Sequence, residues 1–264
     1  MNSIPFSTAQ VRALILDIDG VIWKGGHPIG DLPAIFSAIQ ARGLQYIFAT
    51  NNAVRTIPQF VQRLTALGIA VTPNQIVNSA MSVARLLKQR FPNGGPVYII
   101  GEDGIRQALT NQGFFHAEQN VLAVIISLDR NISYEKLTRA TLLIRAGAPF
   151  YGSNPDRTYP TPEGLTPGAG TLLAAVEAAT DVAPIIAGKP EPALFELALQ
   201  HLGVERSQAL VVGDRLETDI LGGQRAGLPT ALVLSGVSTA EQAAAWQPAP
   251  DLIAPSLGDL IQQL

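Results

Sequence analysis

Apolar residues fall into short uninterrupted runs: Ala13–Ile18, Leu44–Ala49, Val97–Ile100, Val121–Leu128, Ala209–Val212 and Thr230–Leu234. Runs with little polar alternation suit strands buried on both faces, as in parallel sheets. Longer segments between them carry helix punctuation. Asp31 then Pro33 opens one that Gly43 closes, Thr56 then Pro58 opens another that Gly68 closes, and Pro190 with Pro192 starts a third running to Gly203. Strand–helix alternation of this kind predicts an α/β fold with right-handed crossovers. The stretch from Tyr151 to Gly170 breaks the rhythm with Pro155, Pro160, Pro162 and Pro167 among four glycines, and predicts a long ordered loop.

Composition narrows the chemistry. Of 264 residues, 47% are apolar and 15% charged, against roughly 25% charged in average domains. The net charge of -3 offers no basic excess to track a phosphate backbone, which argues against nucleic acid as partner. Zero cysteine excludes disulfides, thiolate metal sites and a Cys nucleophile, and His27, His116 and His201 have no metal-ligand spacing. Charge-free runs such as Gly227–Ala240 fall short of the roughly 18–20 apolar residues of a membrane span. With no signal-like opening either, the expected location is the cytoplasm. Chemistry is left to carboxylates, hydroxyls, amides and a few cations.

Four features collect those groups. Leu14-Ile15-Leu16-Asp17-Ile18-Asp19-Gly20 ends an apolar strand in two carboxylates spaced i, i+2, which point the same way while the chain is extended. A calcium loop is excluded, because Val21 and Ile22 stand where an oxygen ligand and a glycine are needed. Phe48-Ala49-Thr50-Asn51-Asn52 ends a second strand in small polar groups. Ile185-Ile186-Ala187-Gly188-Lys189-Pro190 sets a lysine before a proline-started helix, and Ala183 with Pro190 excludes a Walker A loop. Leu210-Val211-Val212-Gly213-Asp214 ends a fourth strand, with Asp219 five residues on. Singly, these are an Asp-Gly turn, turn formers, a solvated charge and helix N-terminal acids. Together, at the carboxyl ends of separate buried strands, they make a magnesium–phosphate site.

In this order the four motifs resemble those of the haloacid-dehalogenase-like phosphohydrolases, with Asp17 and Asp19 in the first, Thr50 the second, Lys189 the third, and Asp214 through Asp219 the fourth. Thr50 and Lys189 stand 139 residues apart, whereas βα connections take about 2–6 residues, so a further domain is expected between them. The resemblance implies a Rossmann-like doubly wound parallel sheet core, residues 1–78 and 185–264, with an inserted α/β cap at 79–184. A cap inserted there is similar to that of the nitrophenylphosphatase and NagD-like subgroup, as are Gly152-Ser153-Asn154-Pro155-Asp156 and Pro167-Gly168-Ala169-Gly170.

The resemblance also implies roles. Asp17 is the nucleophile and Asp19 the acid, then base. Mg²⁺ is held by Asp17, Asp214 and the backbone carbonyl of Asp19, with Asp219 orienting ligands from behind. Thr50, Asn51 and Lys189 hold phosphoryl oxygens, with Asn52 and Arg55 ordering the loop. The cap loop brings Arg157, Thr158 and Tyr159 to the substrate, although Tyr159 equally suits packing within the cap. Many relatives dimerise through the cap, and the lightly charged surface is compatible with a homodimer. The implied activity is Mg-dependent hydrolysis of small phosphomonoesters of the nucleotide, sugar, glycerol or nitrophenyl phosphate type. A phosphomutase on the same core and a non-catalytic phosphate-ligand-binding protein are the alternatives.

Overall fold

A computed structural model of the protein describes residues 6–161 and 163–264. Two compact units emerge: the chain up to Thr50 with Phe60–Val77 and Pro190–Leu264, and Asn51–Gln59 with Asn78–Lys189.

The first unit is built on a six-stranded sheet in the order Leu252–Ala254, Thr230–Val233, Ala209–Gly213, Ala13–Leu16, Gln45–Thr50, Ile76–Asn78. Pairing from Leu252–Ala254 through Gln45–Thr50 is parallel. Ala13–Leu16 and Ala209–Gly213 are buried throughout, which is why their sequences show no alternation. The Leu32–Ala41 helix starts where Asp31 accepts a hydrogen bond from the Ala34 amide at 3.1 Å, with Pro33 in its first turn. It seats Phe36 against Tyr46 and Phe48 of the neighbouring strand, with ring centroids 4.9 and 5.8 Å away. Burying each ring contributes about 1.5–3 kcal/mol. Successive strands are added outward from Ala13–Leu16, first on one side and then on the other, so the winding reverses between Ala13–Leu16 and Ala209–Gly213. That is the Rossmann-like α/β order, and ligands of such sheets bind where the order reverses.

The second unit carries a five-stranded parallel sheet ordered Ile185–Ile186, Phe150–Gly152, Val124–Ile126, Gly95–Ile100, Phe114–His116. Alternate residues serve opposite faces. Val97, Ile99, Ile125 and Tyr151 join one core with Val83, Leu87 and Leu109. Tyr98, Ile100, Val124, Ile126 and Phe150 join another with Ile144 and Val176.

Three features differ from the sequence expectation. Ile185–Ile186, read as a buried strand of the first sheet, pairs with Tyr151–Gly152 as an edge of the second. The second unit also takes in Asn51–Gln59, because the Gly104 amide donates to the Val54 carbonyl at 2.9 Å. A Cβ on Gly104 would meet the Ala53 and Arg55 carbonyl oxygens at 2.4 Å, so only glycine permits that approach. The stretch expected as one long loop instead contains an antiparallel hairpin, Thr158–Thr161 with Gly164–Pro167, followed by the Ala169–Thr180 helix. Pro162 lies outside the described residues. Among the described residues no helix is long and apolar enough to cross a membrane.

Candidate active site

The reversal of strand order brings two acids side by side. Leu16 is in register with Val212, and the Asp17 amide donates to the Val212 carbonyl at 2.8 Å, so Asp17 and Asp214 leave adjacent strands together. Beyond Asp214 the chain makes one π-helical turn, Leu216–Ile220, closed by the Ile220 amide on the Arg215 carbonyl at 3.3 Å. Such widened turns are frequent at functional sites. Here the turn folds Asp219 back, so that its Oδ2 accepts from the Arg215 amide at 3.2 Å.

One carboxylate oxygen each from Asp17, Asp214 and Asp219 lies within 4.8 Å of the others, the group of possible metal-holding acids found among the described residues. The three side chains are only 9, 3 and 2% exposed. Carboxylates this close and this dry repel one another unless a cation or proton lies among them, and an all-oxygen donor set suits a hard divalent ion. Asp219, expected only behind the ligands, thus stands as near as the other two.

The chain around Asp214 is shaped to its carboxylate. The Val237 amide donates to Asp214 Oδ2 at 2.7 Å, and the Ser238 amide donates to its backbone carbonyl at 3.0 Å. A Cβ on Gly236 would fall 1.8 Å from Oδ2, and one on Gly20, whose φ is +91°, 2.3 Å from the same atom. Ser235 Oγ donates to the Gly20 carbonyl at 2.7 Å, tying the two glycine-bearing loops together.

The Asp19 carboxylate stands outside the acid trio. Its Oδ1 accepts from the indole nitrogen of Trp23 at 2.8 Å. Trp23 is buried, and the Arg63 guanidinium lies 4.1 Å above its ring. A tight turn holds the pair, with the Gly20 amide donating to the Trp23 carbonyl at 2.7 Å. His27 is exposed on the small Trp23–Lys24 and His27–Pro28 hairpin. Thr50 ends its strand buried in the first unit.

In the second unit Asn51 and Lys189 are clasped together. Asn51 Oδ1 accepts from the Lys189 amide at 2.8 Å, and Asn51 Nδ2 donates to the Lys189 carbonyl at 3.0 Å and to Asp156 Oδ2 at 3.2 Å. The Asn51 carbonyl accepts from Ser79 Oγ at 2.6 Å and from Asn154 Nδ2 at 2.7 Å. The side chain expected to hold phosphate is thus engaged in fixing the backbone around a buried lysine. Asn52 Oδ1 accepts from the Val54 amide at 3.0 Å, and its Nδ2 reaches the Tyr159 hydroxyl at 3.5 Å. Tyr159 sits on the hairpin opposite Thr166, while Arg157 and Thr158 are exposed beside it.

At the carboxyl ends of two neighbouring strands of this unit, Arg130 Nε donates to Glu102 Oε1 at 2.8 Å and its amide donates to the same oxygen at 3.1 Å. Those hydrogen bonds hold the Glu102 carboxyl below its ordinary range and raise Arg130 in turn. Neither Trp23 nor Gly236 was legible as a site residue. An aromatic four residues past an acid reads as core, and Gly236 approaches Asp214 only in three dimensions.

Comparison with known proteins gives the family. Residues 14–115 match the model of the haloacid dehalogenase-like hydrolases, and residues 186–260 match a second HAD-hydrolase-like model. The chain is 37% identical to the 5'-nucleotidase YutF of Bacillus subtilis, over 87% of this chain and 90% of that protein. It is 36% identical to an acid sugar phosphatase of Staphylococcus aureus, over 88% and 90%. Among solved structures, a glycerol phosphate phosphatase from Mycobacterium tuberculosis in complex with magnesium superposes with a TM-score of 0.90 at 36% identity, covering 95% of this chain and 76% of that one. A 4-nitrophenylphosphatase from Thermotoga maritima gives 0.90 at 29% identity, covering 96% and 97%. The chain therefore belongs to the haloacid-dehalogenase-like hydrolases and, within them, to the phosphatases.

Proposed function

We propose that the protein is a Mg²⁺-dependent phosphatase that hydrolyses small organic phosphomonoesters through an aspartyl-phosphate on Asp17. The observation that carries this reading is the convergence of Asp17, Asp214 and Asp219 at the reversal of strand order, with Asp19 oriented separately by Trp23. Asp17, Asp214 and Asp219 would hold Mg²⁺, with the Asp19 backbone carbonyl as a further ligand. The ion supplies charge neutralisation for the phosphoryl oxygens, the largest demand of phosphoryl transfer.

Asp17 attacks phosphorus, and Asp19 gives a proton to the departing oxygen. Asp19 then takes a proton from the water that opens the phospho-enzyme. Thr50 Oγ and the Lys189 ammonium bind phosphoryl oxygens. Asn51 contributes by fixing the Lys189 backbone and offers its own amide to the phosphate. The second unit, with Arg157, Thr158 and Tyr159, serves as the cap that selects the leaving group and excludes water. The substrates of the relatives, a nucleotide, sugar, glycerol and nitrophenyl phosphate, set the panel to be tried.

Phosphate release from that panel is measured with Mg²⁺ and with EDTA, beside Asp17→Asn. The expected result is release by the wild type with Mg²⁺ alone and none by the variant. Equal release by the two overturns the nucleophile. No release by either, with a ligand-dependent rise in Tm, transfers the reading to a non-catalytic phosphate-binding protein.

A further inference from the structure

We propose that Trp23 is a positioning residue that fixes which oxygen of Asp19 carries the transferred proton. This inference rests on the reading of Asp19 as the general acid. Indole nitrogen can only donate a hydrogen bond, so the oxygen it faces must be an acceptor in every state of the carboxyl. Trp23 Nε1 lies 2.8 Å from Asp19 Oδ1, and because a carbonyl oxygen accepts better than a hydroxyl oxygen, this geometry favours Oδ2 as the oxygen that carries the proton.

The surroundings keep the indole from turning away. Trp23 is 2% exposed, the Arg63 guanidinium covers its ring at 4.1 Å, and the Gly20 amide holds its carbonyl at 2.7 Å. Lys24, the next residue, donates to the Gly236 carbonyl at 2.8 Å, so the same short segment is anchored to the loop around Asp214. Turning the protonated Asp19 oxygen toward the indole would weaken this part-buried hydrogen bond, a loss that a side chain without that donor would not suffer.

In the proposed step, an Asp17 oxygen forms its bond to phosphorus while the bond to the leaving oxygen breaks. That oxygen keeps the electron pair and takes the proton from Asp19 Oδ2, leaving Asp19 as a carboxylate. An alkoxide cannot depart without this proton, whereas a nitrophenolate is stable enough to depart with little help. Loss of the indole donor should therefore change the two leaving groups unequally.

The test compares kcat/KM, which reports events through departure of the leaving group, for glycerol phosphate and nitrophenyl phosphate in wild type, Trp23→Phe and Asp19→Asn. Trp23→Phe keeps a ring under Arg63 and removes the donor. We expect the ratio of glycerol to nitrophenyl kcat/KM to fall about tenfold, a part of the roughly 10²–10⁴ that general acid–base catalysis contributes. Equal losses on both substrates, or no loss on either, overturn the inference and leave Trp23 a packing residue. Should Trp23→Phe not fold, benzothienylalanine at position 23 replaces the N–H with sulfur at nearly constant shape and is read by the same ratio. Asp19→Asn separates the two readings. If it retains the wild-type rate on glycerol phosphate, the acid assignment itself falls. If it abolishes that rate while the Trp23 variants leave the ratio unchanged, only the positioning role falls.

Discussion

The side-chain amide of Asn51 grips both ends of the Lys189 residue, accepting from its N–H at 2.8 Å and donating to its carbonyl at 3.0 Å. The clasp fixes the Lys189 backbone from 138 residues away in sequence. Asn51→Ala removes three hydrogen bonds around the buried Lys189, at a cost of about 2–4 kcal/mol. Calorimetry should show the unfolding transition shifted down. Asn51→Asp should be harsher, because it sets a second carboxylate beside Asp156 Oδ2, now 3.2 Å from the Asn51 amide nitrogen.

Gly236 has no side chain to offer, yet a methyl group there would overlap Asp214 Oδ2 at 1.8 Å. Gly236→Ala must push the carboxylate off its hydrogen bond from the Val237 amide. The Mg²⁺ concentration for half-maximal activity should rise about 10–100-fold, the usual cost of disturbing the support of a metal ligand. An unchanged Mg²⁺ titration in a folded variant would contradict the metal assignment of Asp214.

Under the proposed function, Mg²⁺ held among three carboxylates that lie within 4.8 Å of one another would stabilise the fold as well as serve the reaction. At about 100 times its Kd, the ion adds roughly 2.7 kcal/mol of stability, or about 5–10 °C in Tm for a chain of this size. EDTA should abolish the gain, and Asp214→Asn should lose most of it. A Tm indifferent to Mg²⁺ in the wild type would argue that the trio does not bind the ion.

The Glu102–Arg130 pair makes a pH-dependent contribution to the second unit. Hydrogen bonds from Arg130 lower the Glu102 carboxyl beneath its ordinary 4.5, so the pair stabilises the fold above that pH. The contribution is lost as pH falls through the depressed folded value, where Glu102 takes up a proton. Arg130 is well exposed, so solvent screening limits the effect to at most about 1 kcal/mol. Glu102→Gln should lower Tm at neutral pH and match the wild type in strong acid. A difference that persists there would assign the effect to packing.

What the sequence determined by itself follows from patterns that are local. Uninterrupted apolar runs predicted the strands around Leu14, Phe48, Val211 and Leu232, because a strand buried on both faces has no polar alternation to hide it. Asp31 and Gly43 bounded a helix for equally local reasons, a capped amide and a left-handed stop. The acids Asp17 and Asp214 were legible because each follows such a strand directly, and Asp19 because it stands two residues beyond Asp17. Ile185–Ile186 was assigned to the wrong sheet because two residues carry no periodicity, and only a partner can say where they pair. The hairpin of Thr158–Thr161 with Gly164–Pro167 hid behind prolines, which mark turns but not register.

The tertiary structure alone decided the rest. It drew Asp219 into the acid group through a π turn, faced Asp19 with the Trp23 indole, and closed Asn51 on Lys189. The physical reason is one of range. Strands and caps satisfy neighbouring backbone groups, whereas a site joins side chains that no local pattern pairs and that meet only in the folded chain.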